Sequence, residues 1–113
     1  MHKSASGLRV LWGAQMGQMQ GLMYMNLDSA TSISGTIPTE IGDISLLKYL
    51  HFTGAVSIQG TIPTELGRLS DLEVVCFGQA SGIRGGLPTE VKELARLGKL
   101  QECRDQSGVN HCG

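Results

Sequence analysis

Gly60-Thr61-Ile62-Pro63-Thr64-Glu65-Leu66-Gly67 is written again, almost word for word, at Gly35-Thr36-Ile37-Pro38-Thr39-Glu40-Ile41-Gly42 and at Gly85-Gly86-Leu87-Pro88-Thr89-Glu90-Val91. The step from one word to the next is the same each time, Gly35 to Gly60 to Gly85. A fixed period of that size marks a repeat architecture, in which each unit buries its apolar face only by stacking on its neighbours.

Sliding the chain by one such step aligns seven apolar columns. They are Met16/Ile41/Leu66/Val91, Met19/Ile44/Leu69/Leu94, Leu22/Leu47/Leu72/Leu97, Met25/Leu50/Val75/Leu100, Leu27/Phe52/Phe77, Ala30/Ala55/Ala80 and Ile33/Ile58/Ile83. These columns are the expected core. Four units start at Ala5, Ala30, Ala55 and Ala80; the first is degenerate, with Trp12-Gly13 where Ile37-Pro38 stands later, and Glu102 falls in the Leu27/Phe52/Phe77 column. The expected organisation is a degenerate first half-repeat or N-terminal cap over 1–13, repeats over 14–103, and a polar C-terminal cap or tail over 104–113.

Within a unit, Leu47-Lys48-Tyr49-Leu50-His51-Phe52-Thr53 alternates with period two, which predicts a short strand with one buried face. Equal connections from strand to strand predict parallel pairing, about 4.8 Å apart. Ile58-Gln59-Gly60-Thr61-Ile62 predicts a second extended segment ending at proline, which suits the entry of a helical turn. Thr64-Glu65-Leu66-Gly67-Arg68-Leu69 predicts one helical or 3-10 turn, capped by its threonine. Thr89-Glu90-Val91-Lys92-Glu93-Leu94-Ala95-Arg96-Leu97 lacks the glycine and predicts a longer helix.

The chain has 113 residues, 41% hydrophobic, with a formal net charge of −1. That balance predicts neither nucleic acid nor an anionic membrane as partner. No apolar run is long enough to span a bilayer, so no membrane insertion is expected. Met1-His2-Lys3-Ser4-Ala5-Ser6-Gly7-Leu8 lacks the apolar core of a signal peptide. The compartment therefore stays open: cytoplasmic if Met1 is the true start, extracellular if the chain is part of a receptor-like ectodomain. Of the three cysteines, Cys103 and Cys112 are spaced to close a small loop in an oxidising compartment, which leaves Cys76 a lone thiol; in a reducing cytosol all three are free.

The columns resemble the plant-type leucine-rich repeat, L-x-x-L-x-x-L-x-L-x-x-N-x-L-x-G-x-I-P. Leu69, Leu72, Val75, Phe77, Ile83, Gly85, Leu87 and Pro88 occupy its positions, as do Ile44, Leu47, Leu50, Phe52, Ile58, Gly60, Ile62 and Pro63. The resemblance covers about residues 14–103, and its wording is like that of algal and plant repeats. It implies an α/β solenoid: a right-handed coil with a short parallel β-sheet on the concave face and helical or 3-10 turns on the other side. Two departures stand out. The family's asparagine column is Ala30/Ala55/Ala80 here, and each unit has one extra residue before the glycine, so the turn after the strand must satisfy its backbone groups differently.

In this family the exposed strand residues bind protein or peptide. Carried over by column, that face is Tyr24, Tyr49, Val74 and Lys99 in one row; Asn26, His51, Cys76 and Gln101 in the next; and Asp28, Thr53, Gly78 and Cys103 in a third. Two adjacent tyrosines beside polar groups suit an interface, while cross-strand packing on a solvated sheet is the plainer alternative. Cys76, Cys103, His111 and Cys112 contain zinc-ligand atom types at no standard spacing, so neither metal nor cofactor is expected. No paired carboxylates, nucleophile with a base, or phosphate loop occurs, so the chain is expected not to be an enzyme.

The expected function is non-enzymatic recognition of a protein or peptide, as part of a receptor- or adaptor-like chain, with end-to-end self-association open to it. Ladders of Thr39/Thr64/Thr89 and Thr36/Thr61 give an alternative, an ice-binding surface, against which stand the capping role of the first set and the Glu40/Glu65/Glu90 ladder alongside. A purely structural repeat segment is the third possibility.

Overall fold

The computed structural model describes residues 2–4, 12–29 and 33–110. The chain is α/β with two parallel sheets of short strands and few helices. A five-stranded sheet contains β1 (His2–Ser4), β2 (Tyr24–Asn26), β4 (Tyr49–His51), β6 (Val74–Cys76) and β8 (Glu102–Arg104), side by side in that order. A three-stranded sheet contains β3 (Gly35–Thr36), β5 (Ile58–Thr61) and β7 (Ile83–Arg84). Between the proline words and the next strand of the larger sheet run 3-10 turns over Thr39–Asp43 and Thr64–Arg68, preceded by one over Ala14–Gln18; an α-helix, α1 (Thr89–Arg96), takes that place in the last unit.

The period appears directly in the strand register. Tyr24 faces Tyr49 and Tyr49 faces Val74, each pair one repeat apart. The middle residue of each strand, Met25, Leu50 and Val75, points inward and is fully buried. Apart from Leu97, the described members of the other columns line the same core, and among the described residues no polar or charged side chain is buried. Phe52 stacks on Phe77 with ring centroids 5.0 Å apart and planes 5° from parallel, while Trp12 meets Phe52 edge-on at 6.2 Å. Ala30 lies outside the described residues; Ala55 and Ala80 are buried.

The turns after β2, β4 and β6 are held largely by main chain. Leu27 N–H donates to the His51 carbonyl and Phe52 N–H to the Cys76 carbonyl, both at 2.7 Å, so the ladder runs on past the strand ends. Further along, Ser29, Gly54 and Gln79 donate to the Thr53, Gly78 and Gln106 carbonyls in the same way. All three sit at positive φ, 56°, 73° and 61°, the left-handed conformation that turns the chain out of the sheet. Asp28 adds a side-chain link, its Oδ1 accepting from Thr53 N–H at 2.8 Å.

The threonines do not cap the helical turns. Pro38, Pro63 and Pro88 take the N-cap position in extended conformation, and no side-chain cap hydrogen bond forms. Proline supplies the fixed φ and no N–H, so the turn begins at threonine without needing its hydroxyl.

The last unit breaks the period. Val74 faces Glu102 where the constant step would bring Lys99, and with it Val75 faces Cys103 and Cys76 faces Arg104. Val91, Leu94 and Leu100 are buried as the columns predict, but Leu97 is 55% exposed. The second turn of α1 takes up the extra chain: an α-helix rises about 1.5 Å per residue against about 2.0 Å for a 3-10 turn, so the same span takes more of it. Four placements carried over by column are corrected by this slip. Lys99 lies in the chain leaving α1, Gln101 lies just before β8, Glu102 leaves the phenylalanine column to face Val74, and Cys103 leaves the outward face to lie buried beside Val75.

β1 has no counterpart in the sequence pattern. It pairs with β2 out of step with the repeat, His2 opposite Tyr24.

Candidate functional site

The outward side chains of the larger sheet form two rows. One runs Tyr24, Tyr49, Val74, Glu102; the other Asn26, His51, Cys76, Arg104. Parallel in-register strands put like positions side by side, and that placement stacks the two tyrosine rings, with centroids 4.2 Å apart and planes 13° from parallel. Tyr24 is 41% exposed and Tyr49 half-buried. A hydrogen bond with the Tyr24 hydroxyl, together with the Glu73 carboxylate, holds the Tyr49 hydroxyl above the ordinary phenol value.

Asn26 is exposed and His51 and Thr53 are half-buried. The Asn26 side-chain carbonyl accepts from Asp28 N–H at 2.9 Å, and Asp28 in turn holds Thr53. These side chains rigidify the strand ends while leaving polar atoms toward solvent. Lys48 and Glu73, 4.0 Å apart, flank the tyrosine row. At its far end Arg104 bonds Glu102 at 2.6 Å and donates to the Gly108 carbonyl at 2.9 Å.

The row that ends at Arg104 meets the chain that follows β8. Asp105 Oδ1 accepts from Ser107 N–H at 2.9 Å and Val109 N–H at 3.1 Å, and Arg104 bridges to Asn110 in antiparallel sense. The loop so formed passes over Gly78, which is buried, and Cys76 is 7% exposed beside it. Burial pushes the Cys76 thiol up to about 11, helped by Glu102 and opposed by Arg104. Cys76 is thus a shielded free thiol and offers a ligand little surface.

Cys103, placed by column on the outward face, sits fully buried beside Val75 once β8 has slipped. It is disulfide-bonded; its expected partner Cys112, with His111, lies outside the described residues. The structure therefore brings together Tyr24, Asn26, Asp28, Tyr49, His51, Thr53 and Val74, and leaves Lys99 and Gln101 off the rows. Glu102 and Arg104 take their places, and column counting missed them. The signal that finds them is Lys92 in the glycine column, since the longer helix it permits shifts everything after it.

Thr36 and Thr61 are exposed on the smaller sheet, but its register does not set them side by side: Thr36 faces Gln59, and Thr61 faces Arg84. Among the described residues no group of three or more His, Cys, Asp or Glu is placed to hold a metal ion. No helix there is long and apolar enough to cross a membrane. No family model and no curated protein matches the chain.

Proposed function

We propose that the chain is a short right-handed solenoid of the plant-type leucine-rich-repeat kind, and that its larger sheet recognises a protein or peptide without catalysing a reaction. The stacked pair Tyr24 and Tyr49 carries this proposal, standing outward between Asn26, His51 and Asp28. Tyrosine rings give large amphipathic contact area at small conformational-entropy cost, and their hydroxyls still pair at the wet edge of an interface. The strand ends beneath are already fixed by backbone and Asp28 hydrogen bonds, so little ordering is left for a ligand to impose.

Peptides selected from a displayed random library on the immobilised chain, then titrated into isotope-labelled protein, test the proposal. Amide shifts are expected to gather at β2 and β4. The double substitution Tyr24→Ala, Tyr49→Ala should weaken binding about tenfold or more with its thermal melt preserved. Peptides that bind the double variant equally well would overturn it.

The threonine ladders support a second reading, ice binding, because Thr39, Thr64 and Thr89 are exposed and not engaged as caps. Loss of ice-recrystallisation inhibition on Thr39→Lys and Thr64→Lys, with no effect of the tyrosine substitutions, would favour it.

A further inference from the structure

The outward surface of the smaller sheet carries two adjoining grooves, of about 560 and 450 Å³, that share Thr36, Gly60 and Arg84. Arg84 is set apart by its charge environment. Among the described arginines, Arg68, Arg96 and Arg104 each reach a carboxylate, of Asp43, Glu93 and Glu102 respectively, whereas Arg84 reaches none among the described residues. One period earlier its position is Gln59, and two periods earlier Ser34, so the charge is local to one unit and does not belong to a charged stripe.

The surroundings of Arg84 in the larger groove contain no acid. They are the hydroxyls of Thr36 and Ser81, the amide of Gln59, and the bare main chain of Gly60 and Gly82. Gly82 cannot be otherwise, since a Cβ there would come within 2.5 Å of the Ile58 carbonyl oxygen. Gly85 and Gly86, at φ +87° and +70°, follow Arg84 and place no side chain against it. On the side of the larger groove the exposed guanidinium thus meets only neutral hydrogen-bonding groups; Glu65 lines the adjoining groove without forming an ion pair with it.

We propose that this groove is an oxyanion site, in which Arg84 takes two oxygens of a carboxylate, sulfate or phosphate in its fork and Ser81, Thr36 and Gln59 donate neutral hydrogen bonds to the remainder. A planar fork of N–H donors matches such oxygens bidentately, and an arginine without an internal carboxylate has nothing to give up on binding. The site lies on a different sheet from Tyr24 and Tyr49 and does not depend on what they bind.

The test is a titration of the isotope-labelled full chain with sodium sulfate, sodium phosphate and sodium acetate, against sodium chloride at equal ionic strength. Saturable shifts are expected at Gln59, Gly82, Arg84 and Gly85 and at the Arg84 side-chain N–H, with Arg96 unmoved. Arg84→Gln should weaken them about tenfold or more, the loss of one charge-assisted contact. Saturation by sulfate and phosphate alone assigns the site to tetrahedral anions; saturation by acetate as well extends it to carboxylates. Shifts that track chloride, or that survive Arg84→Gln, overturn the proposal.

Discussion

Gly42 lies directly against the main chain of Glu65, one unit further on: a Cβ on Gly42 would stand 2.6 Å from the Glu65 carbonyl oxygen. Gly67 bears the same relation to Glu90, whose Cβ would be 2.6 Å away. The helical turns of neighbouring units approach so closely that only hydrogen fits between them. Gly17, in the same column, has a looser neighbour in Asp43 at 3.5 Å. Gly42→Ala should therefore destabilise the chain by about 1–3 kcal/mol despite its better helix propensity, because the contact is with backbone that cannot rotate away. Gly17→Ala should be neutral or stabilising. Thermal unfolding followed by circular dichroism distinguishes them, and equal effects at both positions would refute the close-approach explanation.

Phe52 and Phe77, stacked and essentially without solvent exposure, join two units through the core. Phe52→Ala should cost about 3–5 kcal/mol and Phe52→Leu clearly less, since the cavity left by leucine is smaller. Denaturant midpoints at constant m-value measure both.

Asp28 bonds Thr53 N–H across the strand ends. Asp28→Ala should cost about 0.5–1.5 kcal/mol and speed hydrogen exchange at the Thr53 amide, while Asp28→Asn, which keeps an acceptor, should restore most of that protection. Unchanged exchange at Thr53 in the alanine variant would show that water replaces the carboxylate at no cost.

Burial raises the Cys76 thiol to about 11, against an ordinary thiol value of about 8.5. The folded chain then holds its thiol proton at pH values where the unfolded chain has lost it. Stability from this group is complete below about pH 8.5 and declines as pH rises toward about 11. Cys76→Ala should flatten the stability profile across that window. Alkylation of native Cys76 by iodoacetamide at about pH 8 should be slow compared with an unfolded control, and rapid reaction would show that the chain after β8 does not shield it.

Most of the core was legible in the sequence because a constant pitch makes one offset enough to superpose every unit: Ile41 on Leu66, Leu50 on Val75, Phe52 on Phe77. The alternation around Tyr49 and Leu50 likewise fixed which side chains face outward, and adjacency of Tyr24 and Tyr49 followed from the period. The turn conformations were less legible. Proline at the N-cap makes the threonine hydroxyl dispensable, and the left-handed residues Ser29 and Gln79 are held by main-chain bonds to the next unit rather than by any local preference.

What the sequence by itself determined, then, is the repeat, the buried columns and the outward tyrosines, since all of these depend only on residue spacing along a uniform chain. The tertiary structure alone decided where uniformity stops. Replacing the short 3-10 turn by the longer α1 spends extra chain on the same span, which expels Leu97, buries Cys103, and sets Glu102 and Arg104 beside Val74 and Cys76. Strand β1 and the loop over Gly78 arise by pairing and packing against units already formed, and contacts of that kind leave no period to read.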